Sequence, residues 1–454
     1  MMDITRRLAR YVIASEFERI PEAARREAVR SLVNWIGCAV GGASHEAVEY
    51  ALAALADYGA LPQATVLGRR ERLDMLHAAL VNGISSHVYD FDDTHLRTLL
   101  HPSVPVASAL LALAERRKIS GRDFLHAFII GVEIESRIAN AIYANHNADW
   151  YITGTAGPFG AAAAAGKILG LDEQHMVWAL GIAATEGAGL RQMAGTMAKS
   201  LVHGRAGQNG LYAALLAARG FTSSEHGLEG PRGFARVLGQ AGDIGQIAEG
   251  LGETYEILLN TYKPYACGVV AHPVIDGCIR LRARHGLKAG DVRRIALTVH
   301  PQALKLTGIK SPASGLESKW SIYHSAAVAL VNGAAGEHEY SDASVADPAV
   351  AALRGRVAAA ADEAMRQDEA RVSITLADGR VLDCHVEHAL GSVDRPMSDA
   401  DLEVKFTGLA EGILPAEQIS RLIGLCWSIT ALEDVAEISR ASVPLPISAG
   451  GRAA

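Results

Sequence analysis

The sequence has few of the residues that build cross-linked, membrane-spanning or nucleic-acid-binding proteins. Its 454 residues include 5 cysteines, none in a C-x-x-C pair, which argues against a disulfide framework, a zinc ribbon or an iron–sulfur cluster. No apolar run reaches the roughly 18 residues that a membrane-spanning helix needs. Acidic side chains outnumber basic ones by 50 to 43, so the chain offers no broad positive field to a phosphate backbone. We therefore expect a cytoplasmic protein with no membrane or nucleic-acid partner.

What the sequence does contain is the composition of a folded globular protein. Hydrophobic residues make up 49% and charged residues 20%, and the length allows two or three domains. Over residues 4–218, apolar side chains recur at spacings of three and four, which predicts helix after helix. Pro21 and Asp172 precede two of these segments and are expected to begin helices. Alanine and glycine are frequent here, so we expect helix axes that approach closely.

The pattern changes after residue 263. Residues 294–299, 371–376 and 380–386 are typical of strands, and the Asp-Gly pair at 378–379 is typical of a hairpin turn. A helical pattern at 321–331 lies among them. A helical pattern resumes over 415–437, and it is followed by a tail at 444–454 that is expected to fray. The sequence thus predicts a mainly α protein in which residues 267–402 form a smaller α+β domain.

The densest cluster of ionisable residues includes His87, Asp90, Asp92, Asp93 and His101. So many such groups in one place are costly unless they are solvated, paired or functional. From the residues alone, three interpretations stay open. The cluster could bind a divalent metal, as aspartate-rich motifs do in magnesium-dependent terpenoid synthases, or it could be a solvated helix end. It could also perform acid–base catalysis, with His101 as the best candidate, because imidazole exchanges protons near neutral pH.

Two further clusters carry cations. Three cationic residues recur at near-helical spacing within an apolar segment: Lys199, His203 and Arg205. Part of this segment is therefore expected to be buried. A desolvated lysine there would have a lowered pKa. Lys263 stands at the predicted junction between the two parts, where ligand clefts are common. A glycine-rich stretch at 154–160 fits no nucleotide-binding pattern, because no strand precedes it and no G-K-[ST] follows.

Taken in order, these segments resemble the MmgE/PrpD family. The resemblance rests on residues 90–94 (DFDDT), 101–103 (HPS), 150–160, 195–205, 263–265 (KPY) with 272–273 (HP), and 321–323 (SIY). Members of this family dehydrate 2-methylcitrate, decarboxylate cis-aconitate or epimerise iminodisuccinate. The resemblance implies a large all-helical domain formed by residues 1–266 and 403–454, a smaller α+β domain, and an active-site cleft between them. It also implies a homodimer and the use of no metal or organic cofactor.

The resemblance further implies which residues form the site. The carried-over residues are Asp90, Thr94, His101, Lys199, Lys263 and Tyr323. Where lyase relatives carry a histidine after an aromatic residue, this chain has Tyr151. A phenol is a weak base unless neighbouring cations lower its pKa, and we expect Lys199 or Lys263 to do so.

The chemistry expected of such a site is proton removal or delivery at a carbon next to a carboxylate. It needs a placed base, and cations that stabilise the developing negative charge. We expect His101 and Tyr151 to act as acid–base groups, Asp90 to orient His101, and Lys199 to bind a carboxylate. The expected substrate-binding residues are Thr94, Lys263, Tyr323, His203 and Arg205.

The leading hypothesis is a cofactor-independent lyase, a dehydratase or decarboxylase acting on a small di- or tricarboxylate. An epimerase or isomerase is the second, because Tyr151 replaces a histidine. A magnesium-dependent terpenoid-synthase-like enzyme and a non-enzymatic scaffold are the alternatives from other classes.

Overall fold

The computed structural model describes residues 3–59, 61–146, 149–239 and 244–445. Over these residues the chain is mainly helical, which confirms the predicted fold class. The α-helices are α1 (Ile4–Ala14), α2 (Glu22–Gly41), α3 (Glu46–Ala56), α4 (Met75–His87), α5 (Ser103–Ala114), α6 (Gly121–His146), α7 (Ile152–Leu169), α8 (Glu173–Glu186), α9 (Ala198–Ala217), α10 (Phe234–Gly239), α11 (His272–His285), α12 (Pro301–Thr307), α13 (Gly315–Ser318), α14 (Ile322–Val331), α15 (Asp342–Ala346), α16 (Pro348–Arg354), α17 (Asp399–Ala410), α18 (Ala416–Trp427) and α19 (Ala436–Ala441). The strands are β1 (Ala64–Thr65), β2 (Arg72–Leu73), β3 (Thr94–His95), β4 (Asn260–Thr261), β5 (Val292–Val299), β6 (Val357–Ala361), β7 (Ala370–Leu376) and β8 (Val381–Val386).

Both predicted helix starts are confirmed. Pro21 is the N-cap of α2, and the Asp172 side chain accepts a hydrogen bond from the His175 amide at the start of α8. The helices approach closely at small residues, most clearly where α4 crosses α9. A Cβ atom at Gly204 would lie 2.4 Å from the Leu80 carbonyl oxygen, so only glycine fits at this crossing.

The predicted strands form one four-stranded sheet. Its order is β6-β5-β7-β8, with β6 parallel to β5 and the other pairs antiparallel. The hairpin between β7 and β8 turns at Gly379, whose φ of +89° lies in the region that glycine adopts readily. The predicted helix at 321–331 is α14, which begins after its N-cap residue Ser321. The prediction of helix throughout 415–437 is wrong in part, because α18 ends at Trp427 and a 3₁₀ turn precedes α19.

The described residues form three large cores. The first lies among the helices, and α17 returns to it from beyond the sheet, burying Leu402 and Phe406 against α2. The second lies between the sheet and the helices α11 and α14. The third joins α1, α6, α7 and α8. The division of the chain at residues 267 and 402 stays a prediction. Most of the tail that was expected to fray, residues 446–454, lies outside the described residues.

Two further findings bear on the expectations of the sequence. Within the described ranges, no helix combines the length and apolarity that a membrane crossing requires. All five cysteines are free thiols, four of them buried and Cys384 half-buried.

Candidate active site

A partly buried cavity opens where the N-terminal ends of α7 and α9 meet the loop after α4. Side chains from residues 1–266 and from the predicted smaller domain both line it. The described lining residues are Asp90, Thr94, Leu99, His101, Tyr151, Arg191, Lys199, Lys263, Gly268, Val269, Val270, Leu306 and Trp320. Six of them are residues that the sequence predicted for the site: Asp90, Thr94, His101, Tyr151, Lys199 and Lys263.

The loop that carries Asp90 has an unusual backbone. Asp90 has φ +53° and Leu99 has φ +56°, and these are the two described non-glycine residues with positive φ. Both line the cavity, and such conformations persist only where the surroundings enforce them. Strand β3 pairs with β4, which places Thr94 opposite Thr261 and so brings Lys263 beside the loop. The local strain therefore lies at the residues that build the site.

Asp90 lies between two lysines. Lys199 Nζ donates to Asp90 Oδ1 at 2.7 Å, and Lys263 Nζ donates to the same oxygen at 2.9 Å. All three side chains are buried. Burial alone would raise the pKa of Asp90, but the two ammonium groups outweigh it and hold that pKa well below its usual range. The carboxylate is thus ionised and fixed against both cations.

The two lysines differ in their basicity. Burial lowers the pKa of Lys199 to about 8, and the attraction of Asp90 offsets only part of this effect. Burial also acts on Lys263, but Asp90 and Asp92 together outweigh it and raise its pKa. Lys263 therefore stays charged at any physiological pH, whereas Lys199 can lose its proton just above neutrality.

His101 is oriented by Asp92, and the expectation that Asp90 orients it is wrong. His101 Nδ1 lies 3.0 Å from Asp92 Oδ2 and 3.0 Å from the Asp93 carbonyl oxygen, whereas Asp90 Oδ1 is 4.0 Å from His101 Nε2. A carbonyl oxygen can only accept, so Nδ1 carries the proton and the lone pair is on Nε2. Burial lowers the pKa of His101 despite the opposing effect of Asp92, so the ring is neutral at pH 7.

Two further imidazoles lie behind His101. The rings of His87 and His203 stack with centroids 3.5 Å apart and planes 15° apart, and His101 meets both edge-on. Asp92 also binds His87 Nδ1 at 2.9 Å, while His203 Nδ1 donates to the Lys199 carbonyl oxygen at 2.7 Å. Burial lowers the pKa of His87 to about 3 and that of His203 well below its ordinary value, so both rings are neutral. This cluster supports His101 without adding charge.

Some of these side chains also lie close enough together to hold a metal ion. The ligand atoms of His87, His101 and His203 lie within 4.8 Å of one another, and so do those of a second set formed by His87, Asp90, Asp92 and His101. Imidazole lone pairs lie in the ring plane, and a zinc ion sits about 2.1 Å from each ligand nitrogen. An ion between two rings stacked 3.5 Å apart would lie far outside both planes. Of the two carboxylates in the second set, Asp90 is already bound by two ammonium groups and Asp92 lies against His87 and His101, so the geometry disfavours the metal interpretation.

Tyr151 precedes α7 as its N-cap residue and is buried. Among the described residues its hydroxyl has no hydrogen-bond partner. Burial raises the pKa of Tyr151, and the nearby Arg191 guanidinium counters only part of this rise. The expectation that Lys199 or Lys263 would lower this pKa is therefore wrong. The phenol stays protonated at neutral pH and can donate a hydrogen bond or a proton.

Three predicted substrate-binding residues are not among the described lining residues. Tyr323 is buried on α14 within the second core, and His203 lies behind His87 and His101. Arg205 is exposed on α9, where its guanidinium donates to Gln208. Six residues after Lys199, a helix has turned by about 240°, so Arg205 points away from the cavity.

Sequence reasoning also missed three buried contacts that shape the loop after α4. Three lysines each donate to one of three consecutive carbonyl oxygens: Lys319 to Tyr89 at 2.8 Å, Lys263 to Asp90 at 2.8 Å, and Lys405 to Phe91 at 2.6 Å. We call this set the lysine clamp. The sequence carries no signal of such a role for these lysines, because their partners are backbone atoms far away in the chain.

The chain is similar to known proteins over most of its length. Residues 6–246 match the MmgE/PrpD N-terminal domain, and residues 265–429 match the MmgE/PrpD C-terminal domain. Cis-aconitate decarboxylase from Aspergillus terreus is 28% identical over 449 residues, which cover 92% of this chain and 91% of that protein. The human protein of the same name is 28% identical over 434 residues, covering 89% of this chain and 87% of its own. 2-Methylcitrate dehydratase from Cupriavidus necator is 28% identical over 458 residues, covering 92% and 91%. With both family models matched across most of its length, the chain belongs to the MmgE/PrpD family.

Proposed function

We propose that the chain is a lyase that moves protons at a carbon next to a carboxylate of a small di- or tricarboxylate, using only its own side chains. The observation that carries the proposal is the arrangement around Asp90, where two buried ammonium groups lie beside a neutral imidazole in one cavity. The names of the relatives, a decarboxylase and a dehydratase, support the same class of reaction.

The proposed first step is proton transfer to His101. Its Nε2 lone pair is available, because Nδ1 holds the proton against Asp92 and the Asp93 carbonyl oxygen. As the C–H bond breaks, its electron pair moves towards the adjacent carboxylate. The charge that develops there is stabilised by Lys199 and Lys263, which act in a buried site where such interactions are strong.

The proposed second step depends on the substrate. In a dehydration, the electron pair expels a hydroxyl group from the neighbouring carbon, and a proton from Tyr151 turns it into water. A decarboxylation omits the first step: the C–C bond to one carboxylate breaks, CO₂ leaves, and the electron pair that remains on carbon takes up a proton from Tyr151. After a dehydration His101 releases the proton it took and Tyr151 regains one, both through solvent; after a decarboxylation Tyr151 takes one proton from solvent.

A second candidate function is epimerisation. It is favoured by the presence of two different acid–base groups, His101 and Tyr151, in the wall of one cavity. If one group removes a proton and the other returns it on the opposite face, the carbon inverts and nothing is eliminated.

The test is incubation with 2-methylcitrate, cis-aconitate, citrate and iminodisuccinate in deuterated water, followed by NMR. We expect elimination or CO₂ loss from one of them, and its near-complete loss in the variants His101→Ala and Lys199→Ala. Matched controls are His285→Ala and Lys118→Ala, because both residues are exposed and lie outside the site. Circular dichroism and melting temperature report whether each variant folds.

Three outcomes would overturn the proposal. Near-normal turnover in His101→Ala or Lys199→Ala would remove its chemical basis. Activity that EDTA abolishes and magnesium restores would favour the terpenoid-synthase alternative. A chain whose melting temperature none of the acids shifts would behave as a scaffold. Deuterium exchange without elimination would instead establish the epimerase.

A further inference from the structure

Arg191 is a lining residue that the proposed chemistry does not use. It lies in a 3₁₀ turn before α9, and its guanidinium carbon is 5.5 Å from the centroid of the Tyr151 ring. We propose that Arg191 and the Tyr151 hydroxyl form a subsite for a second carboxylate of the substrate, on the side of the cavity from which Tyr151 delivers its proton. This inference rests on the proposed function and adds to it the residues that select a dicarboxylate over a monocarboxylate.

The backbone holds Arg191 and Tyr151 together as one unit. The Tyr151 amide donates to the Gly189 carbonyl oxygen at 2.9 Å, and the Arg191 amide donates to the Asp149 carbonyl oxygen at 2.9 Å. The turn that allows this pairing needs glycine, because Gly189 has φ +125° and a Cβ there would lie 2.4 Å from Val202 Cγ1. Two side chains fixed to each other in this way are pre-organised for a ligand.

The charge in the cavity wall favours a carboxylate at Arg191 as well as one at the lysines. Three described cationic side chains line the cavity, Arg191, Lys199 and Lys263, against the single carboxylate of Asp90. The buried Asp92 carboxylate does not line the cavity, but it acts on both lysines. Asp90 and Asp92 together therefore offset most of the charge of the two lysines, and the positive charge that remains in the wall is that of Arg191.

The chemistry of the pair also suits a carboxylate. A guanidinium presents donors in a planar fork that matches the two oxygens of a carboxylate, and it stays charged even when it is partly desolvated. Tyr151 is only 6% exposed, and its buried hydroxyl has no hydrogen-bond partner among the described residues. Buried polar groups of this kind usually have a partner, and a substrate oxygen would supply one.

Arg191 could instead serve only to hold the Tyr151 ring by a cation–π contact. The two roles predict different binding behaviour. A purely structural Arg191 affects every ligand alike. A carboxylate-binding Arg191 affects only ligands that carry the second carboxylate.

The experiment measures binding by calorimetry with two unreactive probes, glutarate with two carboxylates and butyrate with one. We expect the unmodified protein to bind glutarate at least tenfold more tightly than butyrate. Arg191→Gln should weaken glutarate binding at least tenfold and butyrate binding less than twofold. Tyr151→Phe should weaken glutarate binding by a smaller factor, about threefold to tenfold, since it removes one hydrogen bond.

The controls separate charge from folding. Arg219→Gln replaces an exposed arginine at the end of α9 and should leave both affinities unchanged. Arg191→Lys keeps the positive charge and should recover part of the preference for glutarate. Should Arg191→Gln melt early, Arg191→Lys and Tyr151→Phe carry the test.

The inference fails on its own if glutarate binds to the unmodified protein but Arg191→Gln and Tyr151→Phe change both affinities equally or not at all. In that case the proposed function still stands, because a carboxylate has bound. If neither glutarate nor tricarballylate, a saturated tricarboxylate, binds to the unmodified protein, the proposed function and this inference fall together.

Discussion

Lys199 and Lys263 donate to the same oxygen of Asp90, yet their pKa values move in opposite directions. The difference arises from their surroundings. Burial dominates at Lys199, whereas Lys263 feels both Asp90 and Asp92 strongly enough to overcome it. One pKa unit corresponds to about 1.4 kcal/mol of difference in stability between the charged and neutral forms. As the pH rises, Lys199 therefore loses its charge before Lys263 does.

The pH dependence of turnover tests this assignment at Lys199. Its pKa of about 8 predicts that kcat/KM falls above pH 8, because the ammonium loses its proton and can no longer stabilise negative charge. Lys199→Arg keeps a cation at every accessible pH. We expect this variant to be slower, by roughly 10-fold or more because its geometry differs, but to keep its activity well above pH 8.

The measurement is a profile of kcat/KM from pH 6 to pH 10 for both proteins. Lys118→Arg, an exchange at an exposed site on the surface, should leave the profile unchanged. If the alkaline limb of Lys199→Arg coincides with that of the unmodified protein, the titrating group is not Lys199.

How far the sequence predicts individual site residues depends on the signal each one leaves. Asp90, His101 and Lys199 stand in dense polar clusters within apolar text, and all three line the cavity. Arg191 and Arg205 belong to the same stretch of sequence, and only the helix geometry separates them. Arg191 precedes α9 and faces the cavity, while Arg205 points to solvent. Which of the two arginines faces the cavity depends on where α9 begins, and the ends of a predicted helix are its least certain feature.

Among the structural elements, the loop after α4 depends on partners distant in sequence. The lysine clamp binds three successive carbonyl oxygens of the loop, and its lysines come from three separate parts of the chain. Asp90 adopts a positive φ within this loop. The clamp thus supplies hydrogen bonds that a strained loop could not obtain from a helix or sheet.

Removing one lysine of the clamp tests this dependence. Lys405 is buried on α17, and its ammonium donates to Asn34 Oδ1, the Phe91 carbonyl oxygen and the Lys263 carbonyl oxygen at 2.6–2.9 Å. Lys405→Met leaves all three acceptors buried without that donor. We expect the free energy of unfolding to fall by about 2–4 kcal/mol, measured by urea denaturation, and turnover to fall with it. Lys118→Met should change stability little, and an equally small effect of Lys405→Met would contradict the clamp.

Some elements were predictable and others were not, for physical reasons. Strands β7 and β8 alternate in burial and flank an Asp-Gly turn, so both periodicity and turn chemistry identify them. The sequence pattern does not predict strand β6, because four alanines follow Val357 and alanine favours helix. Its parallel pairing with β5 fixes it as a strand, and that pairing is a tertiary contact invisible to local patterns.

At the scale of the whole molecule, the burial of ionisable groups couples the helical core to pH. Glu135 on α6 is fully buried, and neither of its carboxyl oxygens has a partner among the described residues. It lies against α7 so tightly that a Cβ at Gly160 would be 2.4 Å from its Oε2 atom. Burial raises its pKa well above the ordinary 4.5, and the nearby Asp93 adds to this rise. The group is therefore protonated in the folded protein at neutral pH.

The sign of the effect on stability follows from linkage. Below pH 4.5 both the folded and unfolded states hold the proton, so the raised pKa has no cost. Above pH 4.5 the unfolded state ionises and the folded state does not, so the free energy of unfolding decreases as the pH rises. Each pH unit in this window amounts to about 1.4 kcal/mol for a group that stays fully protonated when folded.

Glu135→Gln removes this ionisation and therefore tests it directly. The amide adds a buried donor, so at pH 4.5 we expect the variant to be at most as stable as the unmodified protein. Between pH 4.5 and pH 8 its stability relative to the unmodified protein should rise steadily, because it no longer carries the pH-dependent penalty. Urea denaturation across this range measures the difference, with the exposed Glu253→Gln as the matched control, which should show a flat difference. A flat difference for Glu135→Gln as well would mean that Glu135 ionises inside the fold, and that the packing of α6 against α7 accommodates a buried charge.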